Sequence, residues 1–96
     1  MHTIRIEHLT SDYNAWKAAF DSDPLGRERG GVRSYRVARA IDDPAYVVID
    51  LDFDDRDGAL AFRGALERMW EQPQARAVLG GIPQARLVEQ VESGTY

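Results

Sequence analysis

Apolar and polar positions alternate most strictly from Ala45 to Phe53. Val47, Ile49, Leu51 and Phe53 fall on one side of this stretch, and Tyr46, Val48, Asp50 and Asp52 on the other. A period of two, with branched and aromatic side chains, predicts a strand with two unlike faces. A second alternating segment opens the chain at His2 to Leu9. Ile4 and Ile6 share a face with His2 and His8, and Thr3, Arg5, Glu7 and Leu9 share the other. Val32 to Ile41 and Pro83 to Glu92 alternate less strictly and predict two further strands.

The period changes between these segments. Tyr13, Trp16 and Phe20 stand at i, i+3 and i+7, the stripe of a short amphipathic helix. Thr10 and Ser11 are the expected N-caps, with Asp12 as a first-turn acid favoured by the helix dipole. Pro24 ends this helix near Asp21 to Asp23. Leu25 to Gly31 is a loop by composition. Ala59, Phe62, Leu66, Met69 and Trp70 mark a second helix, capped by Asp54 or Asp55 and ending before Pro73. Gln74 to Leu79 adds at most a short extra turn, and Ser93 to Tyr96 is a tail. Asp42-Asp43-Pro44-Ala45 is a turn joining the second and third strands as an antiparallel hairpin. Its register stays open: pairing Ile41 with Tyr46 sets Val37 opposite Asp50, and a slip of one residue brings Arg36 there.

The order β-α-β-β-α-β predicts an α+β, ferredoxin-like sandwich over residues 1–96. Right-handed crossovers make the first and third strands central in a four-stranded antiparallel sheet, with both helices on one face. The other sheet face has no cover within the chain. It mixes apolar and charged groups (Arg5, Glu7, Leu9, Tyr46, Val48, Asp50, Asp52), which suits a homodimer formed sheet to sheet. A core drawn from 96 residues is modest, so association is an expected source of stability.

This layout, the aromatic first helix (Tyr13, Trp16, Phe20), the Asp42-Asp43-Pro44 hairpin and the Met69-Trp70 helix end resemble the dimeric α+β barrel proteins. Within that superfamily the likeness is to the antibiotic-biosynthesis-monooxygenase-like group, which has many uncharacterised bacterial members. The resemblance implies two sheets packed into a barrel and, in each subunit, a pocket between sheet and helices. It also brings a range of activities. Members include cofactor-independent oxygenases, haem-degrading enzymes, muconolactone isomerases, relatives of chlorite dismutase, and proteins with no assigned activity.

Composition narrows this range. A net charge of −4 argues against general nucleic-acid binding, which needs a basic face. No cysteine is present, so disulfides and thiolate metal sites are excluded. No apolar run approaches the ~20 residues of a membrane span, and the first residues lack a signal-peptide pattern, so a cytoplasmic protein is expected. Lys17 is the sole lysine beside 11 arginines, a bias that reflects a GC-rich genome rather than arginine chemistry.

The candidate chemistry follows. The haem-degrading relatives share an asparagine on the first strand, a tryptophan and an iron-ligating histidine near the second helix. Trp70 matches the tryptophan, but Asn14 lies in the first helix and no histidine follows His8. No cofactor is therefore expected. The aspartates at 50, 52, 54, 55 and 57 lack a nearby histidine and the closing glutamate of a calcium loop, so no metal is expected either. Arg33, Arg36 and Arg39 on the second strand hold either an anionic substrate in the barrel or partners in cross-strand ion pairs. An oxygenase that works without a cofactor needs an apolar pocket for a polyphenolic substrate. His8 is the weak candidate for its base. Trp16, Tyr35, Phe62 and Trp70 are the candidate ligand-binding residues, and the competing reading makes the same rings plain core.

Overall fold

The computed structural model describes residues 1–96. Four strands, β1 (His2–Leu9), β2 (Val32–Ala40), β3 (Asp43–Phe53) and β4 (Gln84–Glu89), form one antiparallel sheet in the order β2-β3-β1-β4. Three helices, α1 (Tyr13–Asp21), α2 (Arg56–Trp70) and α3 (Pro73–Val78), complete the chain. This is the ferredoxin-like arrangement, with β1 and β3 central. No helix is long and apolar enough to cross a membrane.

The two faces of β3 divide the molecule. Val47, Ile49, Leu51 and Phe53 are at most 2% exposed and form the core with Ile4 and Ile6 of β1, Trp16 of α1, and Ala59, Phe62 and Leu66 of α2. Asp50 and Asp52 point to the uncovered side, where β1 and β2 supply their partners. Asp52, itself buried, accepts hydrogen bonds from Thr3 Oγ1 and Ser34 Oγ at 2.7 Å each, and from Arg36 Nη1 at 2.8 Å. Asp50 accepts two from Arg5, at 2.9 and 3.0 Å, in the two-pronged geometry that suits a guanidinium.

The register puts Arg36 opposite Asp50, which settles the hairpin left open above. The turn is tighter than the Asp42-to-Ala45 turn expected from composition. Only Ile41 and Asp42 lie outside the strands, because β3 already begins at Asp43. A register shift between Arg39 and Ala40 absorbs the mismatch, and Ile41 at the tip is fully exposed.

Three local expectations also change. Asp12, rather than Thr10 or Ser11, caps α1, accepting from the backbone N–H of Asn14 and Ala15. The two hydroxyls are engaged elsewhere: Thr10 Oγ1 donates to the Ala45 carbonyl and Ser11 Oγ to the Ala77 carbonyl. Pro73 begins a six-residue helix as well as following one, since its missing N–H costs nothing in a first turn. The last strand is shorter than Pro83 to Glu92, ending at Glu89. Asp55 caps α2 as expected, accepting from Gly58 N–H at 2.6 Å.

The Asp52 network carries a measurable cost of acidification. Its arginine and hydroxyl partners, Arg36 first, hold the Asp52 carboxyl at about 2, below its ordinary 3.8. A depressed carboxylate stabilises the fold above pH 3.8 and ceases to as the pH falls through about 2. Denaturant midpoints for the wild type and Asp52→Asn should therefore converge over that window, starting from a difference of about 2 kcal/mol near neutrality. A constant difference from pH 6 to pH 2 would place the stabilisation elsewhere.

Candidate functional site

A cavity of about 400 Å³ lies between the helix-facing side of the sheet and the three helices. Of its 21 lining residues 14 are hydrophobic, so its wall is largely apolar. Ile6, Ile49 and Leu51 form the floor on the sheet. Phe62, Leu66, Met69 and Trp70 come from α2, and Ala75 and Val78 from α3.

One wall is a row of aromatic rings. The α1 spacing places Trp16 and Phe20 in a stacked contact, with centroids 5.3 Å apart and planes 28° from parallel. His8, on β1, meets the Trp16 ring edge-on at 5.8 Å. At the other end the Arg27 guanidinium lies 3.9 Å from the Phe20 centroid. The row thus runs from an imidazole, through two flat rings, to a cation.

His8 is buried, and its Nδ1 stands 2.8 Å from the Leu9 carbonyl oxygen. A carbonyl only accepts, so Nδ1 carries the proton and Nε2 holds the free lone pair. Burial pushes the His8 pKa below its ordinary 6.5, with the Leu9 hydrogen bond opposing. The ring is neutral at pH 7, with Nε2 free to accept a proton.

Trp16, Phe62 and Trp70 line the cavity together with His8. Tyr35 does not. It projects from β2 beyond Phe20, meets that ring edge-on at 5.5 Å, and is half-exposed. Phe20 lines the cavity and Tyr35, packed on that ring, does not, which corrects its assignment as a ligand-binding residue. The choice between core and pocket dissolves for Trp16 and Phe62: each is buried and each faces the cavity.

Other residues reach the cavity without a signal in the sequence. The segment Ser22 to Leu25 and Arg27 close one end of the cavity, and Gln72 approaches it from the α2–α3 turn and Gln74 from α3. Composition marks the first of these only as a loop. Its path depends on Asp23, held at φ 51°, whose Oδ1 accepts from the Arg27 backbone N–H at 2.9 Å.

The second-strand arginines do not enter the cavity as a group. Arg33 pairs with Asp54 at 2.7 Å and Arg36 with Asp52 on the open face, while Arg39 lies over the Tyr13 ring. The aspartates are likewise dispersed among those pairs and the α2 cap. No group of three or more histidine, aspartate or glutamate side chains is placed to hold a metal ion.

No family model and no curated protein sequence matches the chain. Solved structures do. A cofactor-independent oxygenase from Streptomyces nogalater superposes with a TM-score of 0.72 at 18% identity, covering 96% of this chain and 94% of that one. A candidate antibiotic biosynthesis monooxygenase from Bordetella bronchiseptica gives 0.68 at 17%, covering 95% and 98%. A dimeric ferredoxin-like protein from an uncultured marine organism gives 0.66 at 12%, covering 97% of each chain. The chain shares the ferredoxin-like fold of these structures. At these identities the likeness is one of fold, and the cavity carries the functional argument.

The cavity wall is testable through Gly30. A Cβ there would lie 2.6 Å from the Phe62 ring, closer than atoms pack. Gly30→Ala should cost about 1–3 kcal/mol in chemical denaturation, because the buried Phe62 must shift. Unchanged stability would mean that the ring retreats freely and the wall is loosely packed.

Proposed function

We infer that the protein is a homodimer, joined through its open sheet face, that binds a small, flat aromatic or polyketide-like molecule in the cavity of each subunit. The observation that carries this reading is the apolar cavity of about 400 Å³ walled by His8, Trp16 and Phe20. Stacked rings offer a planar ligand dispersion and quadrupole contacts at little entropic cost. Trp16 and Trp70 report on occupancy directly. A panel of hydroxylated naphthalenes and anthraquinones should quench their fluorescence saturably, with the Trp70 part lost in Trp70→Phe. Flat titrations across the panel would favour a domain whose only partner is itself.

The enzymatic form of this reading is a cofactor-independent monooxygenase. Two observations favour it: the fold shared with the Streptomyces nogalater oxygenase, and a neutral imidazole in an apolar cavity. His8 Nε2 would take the proton of a phenol or an activated C–H, leaving a carbanion-like ligand for oxygen to meet. Asn14, the one asparagine, is exposed on α1 and does not line the cavity, and His8 is the one imidazole that does. Oxygen uptake with a binding member of the panel should then fall on acidification as His8 protonates, with a midpoint below the 6.5 of an ordinary imidazole. His8→Gln should abolish uptake while keeping ligand quenching. Uptake unaffected by that substitution would rule out His8 as the base.

The dimer draws on the character of the open face. Arg5 and Arg36 are already paired with Asp50 and Asp52, and Leu9, Tyr46, Val48 and Val88 supply apolar area between them. Neutralised charge and apolar surface together suit an isologous contact. Light scattering at micromolar concentration should give twice the chain mass, and Val48→Asp should halve it. A wild-type mass of one chain would sink the dimer.

A further inference from the structure

The cavity has one cationic end. Among its lining residues Arg27 supplies the only guanidinium, and no lysine joins it. The side chain is 16% exposed, unusually deep for an arginine on a loop. It is held there from two sides. Nη1 donates to the Phe20 carbonyl at 2.9 Å, and the guanidinium carbon stands 3.9 Å from the Phe20 ring centroid and 5.0 Å from that of Tyr35. A cation so placed is fixed before any ligand arrives.

Its charge is only partly answered. The nearest carboxylate, Asp23 Oδ1, is 3.6 Å from Nη1, beyond hydrogen-bond distance, and that oxygen already accepts from the Arg27 backbone N–H at 2.9 Å. A guanidinium has five N–H donors, and the chain takes one of them here. Nε and Nη2 keep donors for an anion entering the cavity, where low polarity strengthens such a pair.

We propose that Arg27 selects the ligand: the cavity takes a flat aromatic molecule bearing an anionic group, a carboxylate or an ionised phenol, with its ring on Trp16 and Phe20 and its charge on the Arg27 guanidinium. The inference rests on the aromatic-ligand reading above and adds the polarity of the ligand to it. It also fixes a direction. The acidic end lies toward the Ser22–Arg27 loop, and the opposite end of the rings toward His8.

The test compares two probes of one shape, 2-naphthoate and 2-naphthamide, by calorimetric titration at pH 7.5. Wild type should bind the carboxylate about tenfold more tightly than the amide. Arg27→Gln should erase that preference by weakening the carboxylate alone. Asp23→Asn, which tolerates the same backbone and removes the competing charge, should enlarge it. Near-UV circular dichroism checks each variant for folding. Should Arg27→Gln fail to fold, the wild-type preference and the Asp23→Asn change decide the matter. Equal wild-type affinities for the two probes would overturn the role of Arg27 and leave the aromatic cavity standing. Failure of both probes to bind would overturn both readings.

Discussion

The structure depends on β3 being two-faced. Its four helix-side residues are almost completely buried, and every other element is placed by what they require. β1 flanks β3 in a register that sets Ile4 and Ile6 beside Leu51 and Ile49, so the two central strands share one apolar surface. α1 and α2 cover that surface with rings and aliphatic chains. A slip of one residue along β3 would turn Asp50 and Asp52 into the core and Ile49 and Leu51 out of it. The Asp52 network works against that slip from the other side. Thr3, Ser34 and Arg36 come from two different strands and meet the same carboxylate, so they lock the register of three adjacent strands at once.

The cavity is a consequence of the same frame. α1 has nine residues and presents large rings, while the ten residues after it form a loop. Rings stacked along α1 cover the sheet without filling the space toward α3. The loop closes that space only because Asp23 takes a left-handed backbone and tethers the Arg27 amide. Gly80 acts similarly at the α3 end. A Cβ there would lie 2.8 Å from the Thr10 backbone, yet the Gly80 N–H reaches the Leu9 carbonyl at 2.8 Å.

The strand and helix order was legible because hydrophobic period is a local signal, and β3 carries it in a nearly unbroken form. His8, Trp16, Phe62 and Trp70 could be gathered at one place from parity and helical spacing alone. Tyr35 could not be excluded that way. It lies opposite Leu51 on the helix-facing side of β2, yet packs against Phe20 and Arg27 outside the cavity. Arg27 was invisible for the converse reason: a residue in a glycine-rich loop has no period, and its burial depends on a distant carbonyl and a ring. The α1 cap was misplaced because Thr10, Ser11 and Asp12 are all capping residues, and long-range contacts to Ala45 and Ala77 decided among them.

The two faces of β3 also separate the two properties inferred for the protein. An anionic ligand held by the second-strand arginines would need charge that is still available, and the open face does not offer it. Arg5 binds Asp50 with two hydrogen bonds, and Arg36 is shared between Asp50 and Asp52. Across the sheet, Arg27 keeps most of its donors free. A charge satisfied within its own subunit suits a surface that must be desolvated by another copy, because it leaves no unpaired ion behind. A charge left partly unanswered suits a surface awaiting a ligand. The same alternation that specifies the fold therefore separates the side of the sheet proposed for association from the side proposed for small-molecule recognition.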